Sequence, residues 1–256
     1  IPLRDLVGPN VLRDAARFAS RHVDADDAIE QRHGIDHLIS RRGTTSDERE
    51  RAIDAGKNIY SEKPVALSVE RGLALAKAAD AKGLKHGAVE DKLYLPGLQK
   101  LSKLVASDFF GRVVGFRIDF GWWVFDGTEV PCQRPSWNYR KKDGGGLILD
   151  MYPHWRYVIE NMLGPIRRVV TSMSTATPER FDERGERYAV DVEDNASTLV
   201  ELESGATGVI LSSWATRVRR DDLLTAQIDG TKASAVAGLH RCWTTTNAQT
   251  PRTAHF

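Results

Sequence analysis

Residues 144–154 read Gly-Gly-Gly-Leu-Ile-Leu-Asp-Met-Tyr-Pro-His, a glycine run that leads into a predicted helix. Glycine has no Cβ, so such a run lets a ligand approach the backbone closely. In a helix, Asp150 and His154 lie one turn apart on the same face and could share a proton. Pro153 predicts that the helix begins late or is kinked at that point. The stretch thus predicts a helix that carries an acid–base pair near its start.

A second polar motif, Ser61-Glu62-Lys63-Pro64, directly follows a short predicted strand over residues 58–60. Functional residues of open α/β sheets gather at the carboxyl ends of strands, and proline would hold Lys63 in a constant direction. Lys63 could then place a positive charge beside Asp150 and His154. The alternative interpretations are a surface lysine at a turn and a His–Asp pair that is purely structural.

Helical and strand patterns alternate over residues 1–89. The predicted elements are a helix over 9–22, a helix that follows the capping-box spacing of Thr45–Glu48 and ends at Gly56, the strand over 58–60, a helix over about 69–82 and a strand over 84–89. Ser68 is expected to cap the helix over 69–82, and Gly83 is expected to follow its last turn. This alternation is typical of a parallel α/β sheet.

Residues 90–256 show a different pattern. Val114–Trp122 alternates between apolar and small or polar residues, as a strand with one buried face does. Hairpins are predicted around Ser204-Gly205 and around Asp229-Gly230. The prediction is a mostly antiparallel open sheet with one or two helices against it. The fold class is therefore α/β followed by α+β, with a domain boundary near residue 89.

Aromatic residues are dense between residues 122 and 139, and polar side chains lie beside them. A sugar ring has apolar CH faces and a polar rim, which such a mixed surface suits. Core packing is the alternative, and it explains either Trp122 or Trp123, because strand alternation points them in opposite directions. The predicted substrate-binding residues are Trp123, Trp137, Asn138, Tyr139 and Arg140.

The formal net charge is +1, and 28% of the 256 residues are charged. This balance gives no reason to expect a nucleic acid or an anionic membrane as a partner. Cys132 and Cys242 are the only cysteines, which argues against a disulfide framework or a cysteine-built metal site, and we expect no metal. No apolar run is long enough to span a membrane and nothing resembles a signal peptide, so the cytoplasm is the expected compartment.

Taken together, Glu62-Lys63-Pro64 and the glycine run followed by Asp150 and His154 resemble the motifs of the Gfo/Idh/MocA family of oxidoreductases. The resemblance covers most of residues 40–240. It implies an incomplete Rossmann-like dinucleotide-binding domain over residues 1–89 and a substrate-binding, catalytic domain over residues 90–256. It also implies NAD or NADP as cofactor, sugars, cyclitols or sugar derivatives as substrates, and a homo-oligomer formed through the antiparallel sheet.

The resemblance assigns roles to single residues. Glu62, Lys63 and Pro64 would bind the cofactor, with Lys63 near both the nicotinamide and the reacting hydroxyl. His154 would be the general base for that hydroxyl, and Asp150 would orient the substrate or the imidazole. The implied reaction is hydride transfer between a secondary alcohol and the nicotinamide.

One departure from the family pattern leaves alternatives open: the sequence contains no Gly-x-Gly-x-x-Gly turn for the pyrophosphate. The chain begins at Ile1 without a methionine and ends at Phe256, and we expect it to be shorter than the protein it comes from. A dehydrogenase is favoured because the catalytic motif residues are intact. A redox-neutral, glycoside-cleaving enzyme of the same family and a non-catalytic binding or regulatory protein are the alternatives.

Overall fold

A parallel α/β arrangement occupies the first part of the chain. The computed structural model describes residues 37–40, 46–123, 135–218 and 223–251. Strand β1 pairs in parallel with β2, and the three strands of the sheet follow the order β1-β2-β3. The elements are β1 (His37–Ser40), α1 (Ser46–Asp54), β2 (Asn58–Ser61), α2 (Val69–Ala81) and β3 (His86–Ala88). The predicted helix over residues 9–22 lies outside the described residues.

Helix α2 begins and ends where the sequence predicts. The hydroxyl oxygen of Ser68 accepts a hydrogen bond from the backbone N–H of Arg71 at 3.2 Å, which satisfies one free donor of the first turn. Gly83 follows the last turn with φ +64°, a left-handed conformation that glycine adopts without strain. Leu75 and Ala79 form the buried stripe of the helix. The capping residues in the sequence therefore predicted both ends of α2 correctly.

A larger, seven-stranded sheet dominates the rest of the chain, in the order β12-β11-β10-β4-β9-β8-β5. Its neighbouring strands are antiparallel except for β4 and β9, which are parallel, so the prediction of a mostly antiparallel sheet is confirmed. The elements of this part are α3 (Pro96–Ala106), β4 (Val113–Gly121), α4 (Leu147–Leu163), β5 (Ile166–Ser174), β6 (Glu179–Phe181), β7 (Arg187–Ala189), β8 (Asn195–Leu202), β9 (Thr207–Ser213), β10 (Leu224–Gly230), β11 (Ala233–Ala237) and β12 (Cys242–Thr246). Strands β6 and β7 form a separate two-stranded hairpin.

The two predicted hairpins of the large sheet differ in outcome. Strands β8 and β9 turn at Ser204-Gly205 as predicted. Strands β10 and β11 do pair, but Asp229-Gly230 is the end of β10, and the turn falls at residues 231–232. A Cβ on Gly230 would lie 2.2 Å from the carbonyl oxygen of Phe110. The glycine is thus required by a close backbone approach, and the prediction that it forms the turn is wrong.

One face of the large sheet carries the hydrophobic core. Helices α3 and α4 contribute buried side chains such as Leu101 and Trp155 to a cluster that includes Phe116, Ile118 and Phe120 of β4. Each fully buried side chain of this size contributes roughly 1.5–3 kcal/mol. This packing holds α4, the helix that follows the glycine run, against the sheet.

The other face leaves apolar side chains exposed. Val170 of β5 and Leu199 of β8 are directly opposite each other in the ladder and are 70% and 62% exposed. Among the described helices, none combines the length and the apolar character needed to cross a bilayer.

The described chain divides into two units. One comprises the described residues up to Glu62 together with Ser68–Gly87, and the other comprises Lys63–Leu67 together with the described residues from Ala88 onward. Lys63, Asp150 and His154 all belong to the second unit, so their mutual geometry can be described within it.

Candidate active site

The glycine run sets the start of α4. Gly146 precedes the helix with φ +120°, and α4 begins at the next residue, Leu147. The backbone carbonyl of Glu193 accepts a hydrogen bond from the N–H of Leu147 at 3.0 Å, and its carboxylate accepts one from the N–H of Ile148 at 2.9 Å. A carboxylate at this position satisfies free donors and complements the helix dipole.

Helix α4 continues through Pro153, so the expectation of a late start is wrong. Proline normally disrupts a helix interior because it lacks an N–H and its ring crowds the preceding turn. Here the helix is held at its start by Glu193 and along its length by the buried side chains of Leu147, Met151 and Trp155. Tertiary packing and capping together outweigh the cost of Pro153.

Gly146→Ala is expected to destabilise the protein by about 1–3 kcal/mol, the range for a residue held in a sparsely populated conformation. The new Cβ would also lie 2.8 Å from Oε1 of Glu193, the atom that caps the helix. Gly164→Ala at the other end of α4 is the matched control, since φ is +99° there but nothing lies within 4 Å of the added Cβ. Urea unfolding of both variants measures the difference, and equal losses would contradict a role for the Glu193 contact.

Lys63 and Asp150 form a buried ion pair. The Lys63 ammonium donates to Oδ1 and to the backbone carbonyl of Asp150, and the two side chains are 3% and 9% exposed. The sequence predicted that Lys63 places a positive charge beside Asp150. The structure confirms this contact between residues that are 87 positions apart. The Lys63–Pro64 peptide bond is cis. The backbone carbonyl of Glu62 accepts a hydrogen bond from Arg49 at 3.3 Å.

His154 has a different carboxylate partner from the one predicted. Its Nδ1 lies 2.5 Å from Oε2 of Glu90, and no hydrogen bond joins it to Asp150 among the described residues. Asp150 is drawn instead to the ammonium of Lys63. The predicted sharing of a proton between Asp150 and His154 is therefore wrong. Glu90 directly follows the predicted strand over residues 84–89, and this strand-end position is the signal that could have identified it.

The other ring nitrogen of His154 is chemically available. Nε2 makes no hydrogen bond within the part of the chain that the structure describes. Within that same part, no group of three or more His, Cys, Asp or Glu side chains is arranged to hold a metal ion. The site therefore combines an imidazole with one free nitrogen and a buried ammonium–carboxylate pair.

Asn138 and Trp137 lie in a 3₁₀ turn, Ser136–Tyr139, against the start of α4. The backbone carbonyl of Asn138 accepts a hydrogen bond from the N–H of Gly146 at 2.9 Å, and a Cβ on Gly145 would lie 2.5 Å from that carbonyl. Asn138 is fully buried, and neither polar atom of its amide has a partner among the described residues. Leaving such a group unsatisfied costs on the order of 1–3 kcal/mol, so a ligand hydroxyl or an ordered water is the expected partner.

Tyr139 is a core residue, and the prediction that it contacts substrate is not supported. Its ring is fully buried, meets Trp214 edge-on at 5.4 Å, and lies under the guanidinium of Arg180 at 4.2 Å. Arg180 also pairs with Asp194 at 3.0 Å, and both side chains are fully buried. The ring has no exposed face that could contact a ligand, so Tyr139 anchors the turn that contains it to the core.

Trp123 and Arg140, the remaining predicted substrate residues, have partners of their own. The guanidinium of Arg217 lies 4.2 Å from the centre of the Trp123 ring, which is partly exposed. The guanidinium of Arg140 lies 4.5 Å from the Tyr188 ring centre and 3.9 Å from Asp182. The structure does not link either side chain to the polar groups of α4 by a hydrogen bond or ring contact among the described residues.

Glu183 anchors the loop that contains Asn138. Its carboxylate accepts hydrogen bonds from the backbone N–H of Ser136 at 2.5 Å and from the Ser136 hydroxyl at 2.9 Å. The bond from the backbone N–H is the largest cause that holds the pKa of Glu183 below its ordinary value. A lowered pKa means that the carboxylate stabilises the folded state above its ordinary titration range and that this contribution disappears as the pH falls through the lowered pKa.

Glu183→Gln is therefore expected to lower stability at neutral pH and to have no effect in acid, where Glu183 itself is protonated. The loss should be below about 1 kcal/mol, because the carboxylate is exposed and solvent screens it. Unfolding by urea at several pH values measures this difference. Glu186→Gln in the same hairpin is the control, since no hydrogen bond involves its carboxylate among the described residues. A loss that persists in acid would contradict the assignment to the ionised carboxylate.

Comparison with known proteins identifies the family of the chain. A model of the GFO/IDH/MocA C-terminal domain matches residues 98–236. The chain belongs to the GFO/IDH/MocA family.

Two curated relatives are similar over most of the chain. D-xylose dehydrogenase of Paenarthrobacter nicotinovorans is 47% identical over 206 residues, which cover 79% of this chain and 53% of that protein. Levoglucosan dehydrogenase of Pseudarthrobacter phenanthrenivorans is 29% identical over 206 residues, which cover 74% of this chain and 51% of that protein. The chain thus spans about half the length of the curated relatives it matches.

The fold is also similar to that of a solved structure, an NAD binding oxidoreductase from Klebsiella pneumoniae. The TM-score is 0.72 at 26% identity, over 82% of this chain and 56% of the other. The predicted fold class, α/β followed by a mostly antiparallel sheet, agrees with this likeness.

Proposed function

We propose that the protein is an NAD(P)-dependent dehydrogenase that moves a hydride between a secondary alcohol of a sugar-like substrate and a nicotinamide. The observation that carries the proposal is the buried Lys63–Asp150 pair in the same unit as His154, whose Nε2 makes no hydrogen bond among the described residues. A cation and an unbonded base are the groups that oxidation of an alcohol requires. Both named relatives are dehydrogenases of sugars or sugar derivatives, which supports the substrate class.

Each group has a role that follows from its chemistry. Nε2 of His154 accepts the proton of the substrate hydroxyl. The ammonium of Lys63 stabilises the negative charge that develops on the oxygen, and its burial strengthens this effect because water screens it less. Asp150 holds the ammonium in place, which is a more specific role than the orientation of substrate or imidazole that the resemblance implied.

The residues present fit a nicotinamide cofactor. When His154 accepts the proton of the substrate hydroxyl, the carbon that carries this hydroxyl can release a hydride, and a nicotinamide accepts a hydride. When bound, NAD or NADP would accept that hydride. We assign Glu62, Lys63 and Pro64 to holding the cofactor, residues 1–89 to the dinucleotide-binding domain, and residues 90–256 to substrate binding and catalysis.

The substrate side of the site is assigned to Asn138, Trp137, Trp123 and Arg140. The fully buried amide of Asn138 has no partner among the described residues, and it would have to become accessible before it could donate to or accept from a sugar hydroxyl. Trp137, which is half-buried, offers an aromatic surface next to it in the chain. Trp123 and Arg140 would reach the substrate only after leaving their present partners.

The exposed face of the large sheet suits a contact with a second copy of the chain. Val170 and Leu199 form an apolar pair there, and burying them would remove exposed apolar surface from water. We therefore propose a homo-oligomer formed through this sheet. The cytoplasm is the proposed compartment of the protein. Light scattering on the purified full-length protein measures the mass directly, and a monomer at all concentrations would contradict this part of the proposal.

The reaction is tested with the full-length protein, D-xylose and related aldoses, and either NAD⁺ or NADP⁺. Steady formation of reduced cofactor, seen by absorbance, is the expected result, and reactions without sugar are the control. Release of a free sugar from a glycoside without net reduced cofactor would instead support the redox-neutral alternative. Absence of measurable binding of both cofactors by calorimetry would overturn the dehydrogenase and favour a non-catalytic protein.

A further inference from the structure

The proposed base, His154, is held by a buried carboxylate that the reaction scheme above does not use. Glu90 lies 2.5 Å from Nδ1 of His154, and the two side chains are only 10% and 5% exposed. An ionised carboxylate can only accept a hydrogen bond, so Nδ1 must carry the proton of this contact. The lone pair of the neutral ring is then on Nε2.

The neighbouring carboxylate, that of Asp91, makes no hydrogen bond to His154. Asp91 lies 3.9 Å from Nδ1, outside hydrogen-bond distance, and its side chain is 58% exposed. It bonds instead to the ammonium of Lys92 at 2.7 and 2.9 Å. Burial would raise the pKa of Asp91, but the hydrogen bond and charge of Lys92 and the charge of His154 outweigh it, and the pKa lies below its ordinary value. Of these two adjacent carboxylates, only Glu90 is largely buried and bonded to His154.

The backbone around Glu90 keeps this contact in place. The residue comes two positions after the end of β3, and the 3₁₀ turn Lys92–Tyr94 that follows packs against α4, the helix of His154. Tyr157, one turn further along α4, has its pKa raised by burial and by the charges of Tyr94 and Glu90. The ring of Trp155 lies 6.3 Å from the His154 ring. The titratable groups near the imidazole are therefore Glu90 and Asp91 with Lys92, and Tyr157 interacts with Glu90 and with Tyr94.

We propose that Glu90 is a positioning residue for the proposed dehydrogenase, which fixes the imidazole of His154 with Nε2 as the base and stabilises its protonated form. This inference rests on the proposed function for its catalytic meaning. During oxidation the hydroxyl proton moves to Nε2, the Nδ1 proton stays in the bond to Glu90, and the imidazolium and carboxylate charges offset each other. The carboxylate thereby stabilises the charged ring that the proton transfer creates.

Glu90→Gln tests the proposal against Asp91→Asn, which removes the same charge one residue away. By ¹⁵N NMR of the imidazole in the full-length protein, Glu90→Gln should shift the Nδ1 and Nε2 resonances toward a mixture of the two neutral tautomers, and Asp91→Asn should shift them much less. This readout requires no turnover. Equal shifts in both variants would overturn the specific role of Glu90, even if the protein had no dehydrogenase activity.

Kinetics supply the second readout. Glu90→Gln should lower kcat roughly 10- to 100-fold, part of what a general base contributes, with KM little changed. The acidic limb of the kcat profile should move to lower pH. Without the Glu90 carboxylate, the protonated form of the ring is less stabilised relative to the neutral form. Glu90→Asp, which keeps the carboxylate, should restore part of kcat. A loss of stability or a raised KM without any movement of the limb would mean that Glu90 is merely structural.

The two proposals fail in distinguishable ways. An inactive wild-type protein whose Glu90→Gln and Asp91→Asn variants differ in the His154 nitrogen resonances would overturn the dehydrogenase and leave the Glu90 pairing intact. An active wild-type protein in which Glu90→Gln and Asp91→Asn behave alike would overturn the role of Glu90 alone. Thermal melting of each variant identifies any that does not fold, and Glu90→Asp then carries the comparison.

Discussion

Lys63→Met is expected to lower kcat by about 10²- to 10³-fold, the loss seen when one group that stabilises a developing oxyanion is removed. The same change should lower the free energy of unfolding by about 3–5 kcal/mol, because it leaves the Asp150 carboxylate buried without its cation. Steady-state kinetics of the full-length protein measure the first effect, and urea unfolding measures the second.

The double variant Lys63→Met with Asp150→Leu separates the two effects. Replacing both members of a buried ion pair by apolar groups is often neutral, so stability should largely return while activity stays lost. Lys82→Met serves as the surface control. Lys82 pairs with Asp54 at 2.9 Å, but both side chains are exposed, and the change should cost less than about 1 kcal/mol. A double variant as unstable as Lys63→Met would show that the unpaired carboxylate is not the cause.

His154→Gln is expected to lower kcat by about 10²- to 10⁴-fold, the usual contribution of a general base, while the affinity for the cofactor stays nearly unchanged. Glutamine fills a similar space but cannot accept the proton. The residual rate should rise with pH, since hydroxide replaces the missing base. Stopped-flow kinetics and calorimetric titration with NAD(H) measure these quantities.

His86→Gln is the matched control for this variant. His86 also contacts a carboxylate, with Nε2 at 3.0 Å from Asp80, but it lies outside the proposed catalytic residues. Its substitution should leave kcat close to that of the wild type. Full activity in His154→Gln would show that the base has been misassigned, and equal losses in both variants would point to a general effect on folding.

Features that depend on neighbours in the chain could be predicted from the sequence. Ser68 and Gly83 mark the ends of α2 because capping involves residues a few positions apart. The alternation of Val114–Trp122 identifies β4 because its buried face repeats every second residue. The placement of Lys63 beside Asp150, 87 positions away, is an exception, since it was expected from the joint presence of two motifs.

Most features that depend on distant segments of the chain could not be predicted from the sequence. Glu90 reaches His154 across 64 positions, and nothing in either local pattern names the other as its partner. Gly230 resembles a turn glycine, yet the carbonyl of Phe110 is what requires it. Tyr139 and Asn138 are adjacent and both fully buried, but only the packing shows that one ring joins the core and that the amide beside it has no partner among the described residues.

The parallel pairing of β4 with β9 has a consequence for how the protein folds. The chain between these two strands includes the 3₁₀ turn Ser136–Tyr139, α4 and strands β5 to β8, and the centre of the sheet closes only when β4 and β9 meet across this long connection. Such distant pairings raise the contact order and slow folding. Substitutions that loosen α4 should therefore also delay closure of the sheet, so loss of helix α4 and slow, aggregation-prone refolding should occur together.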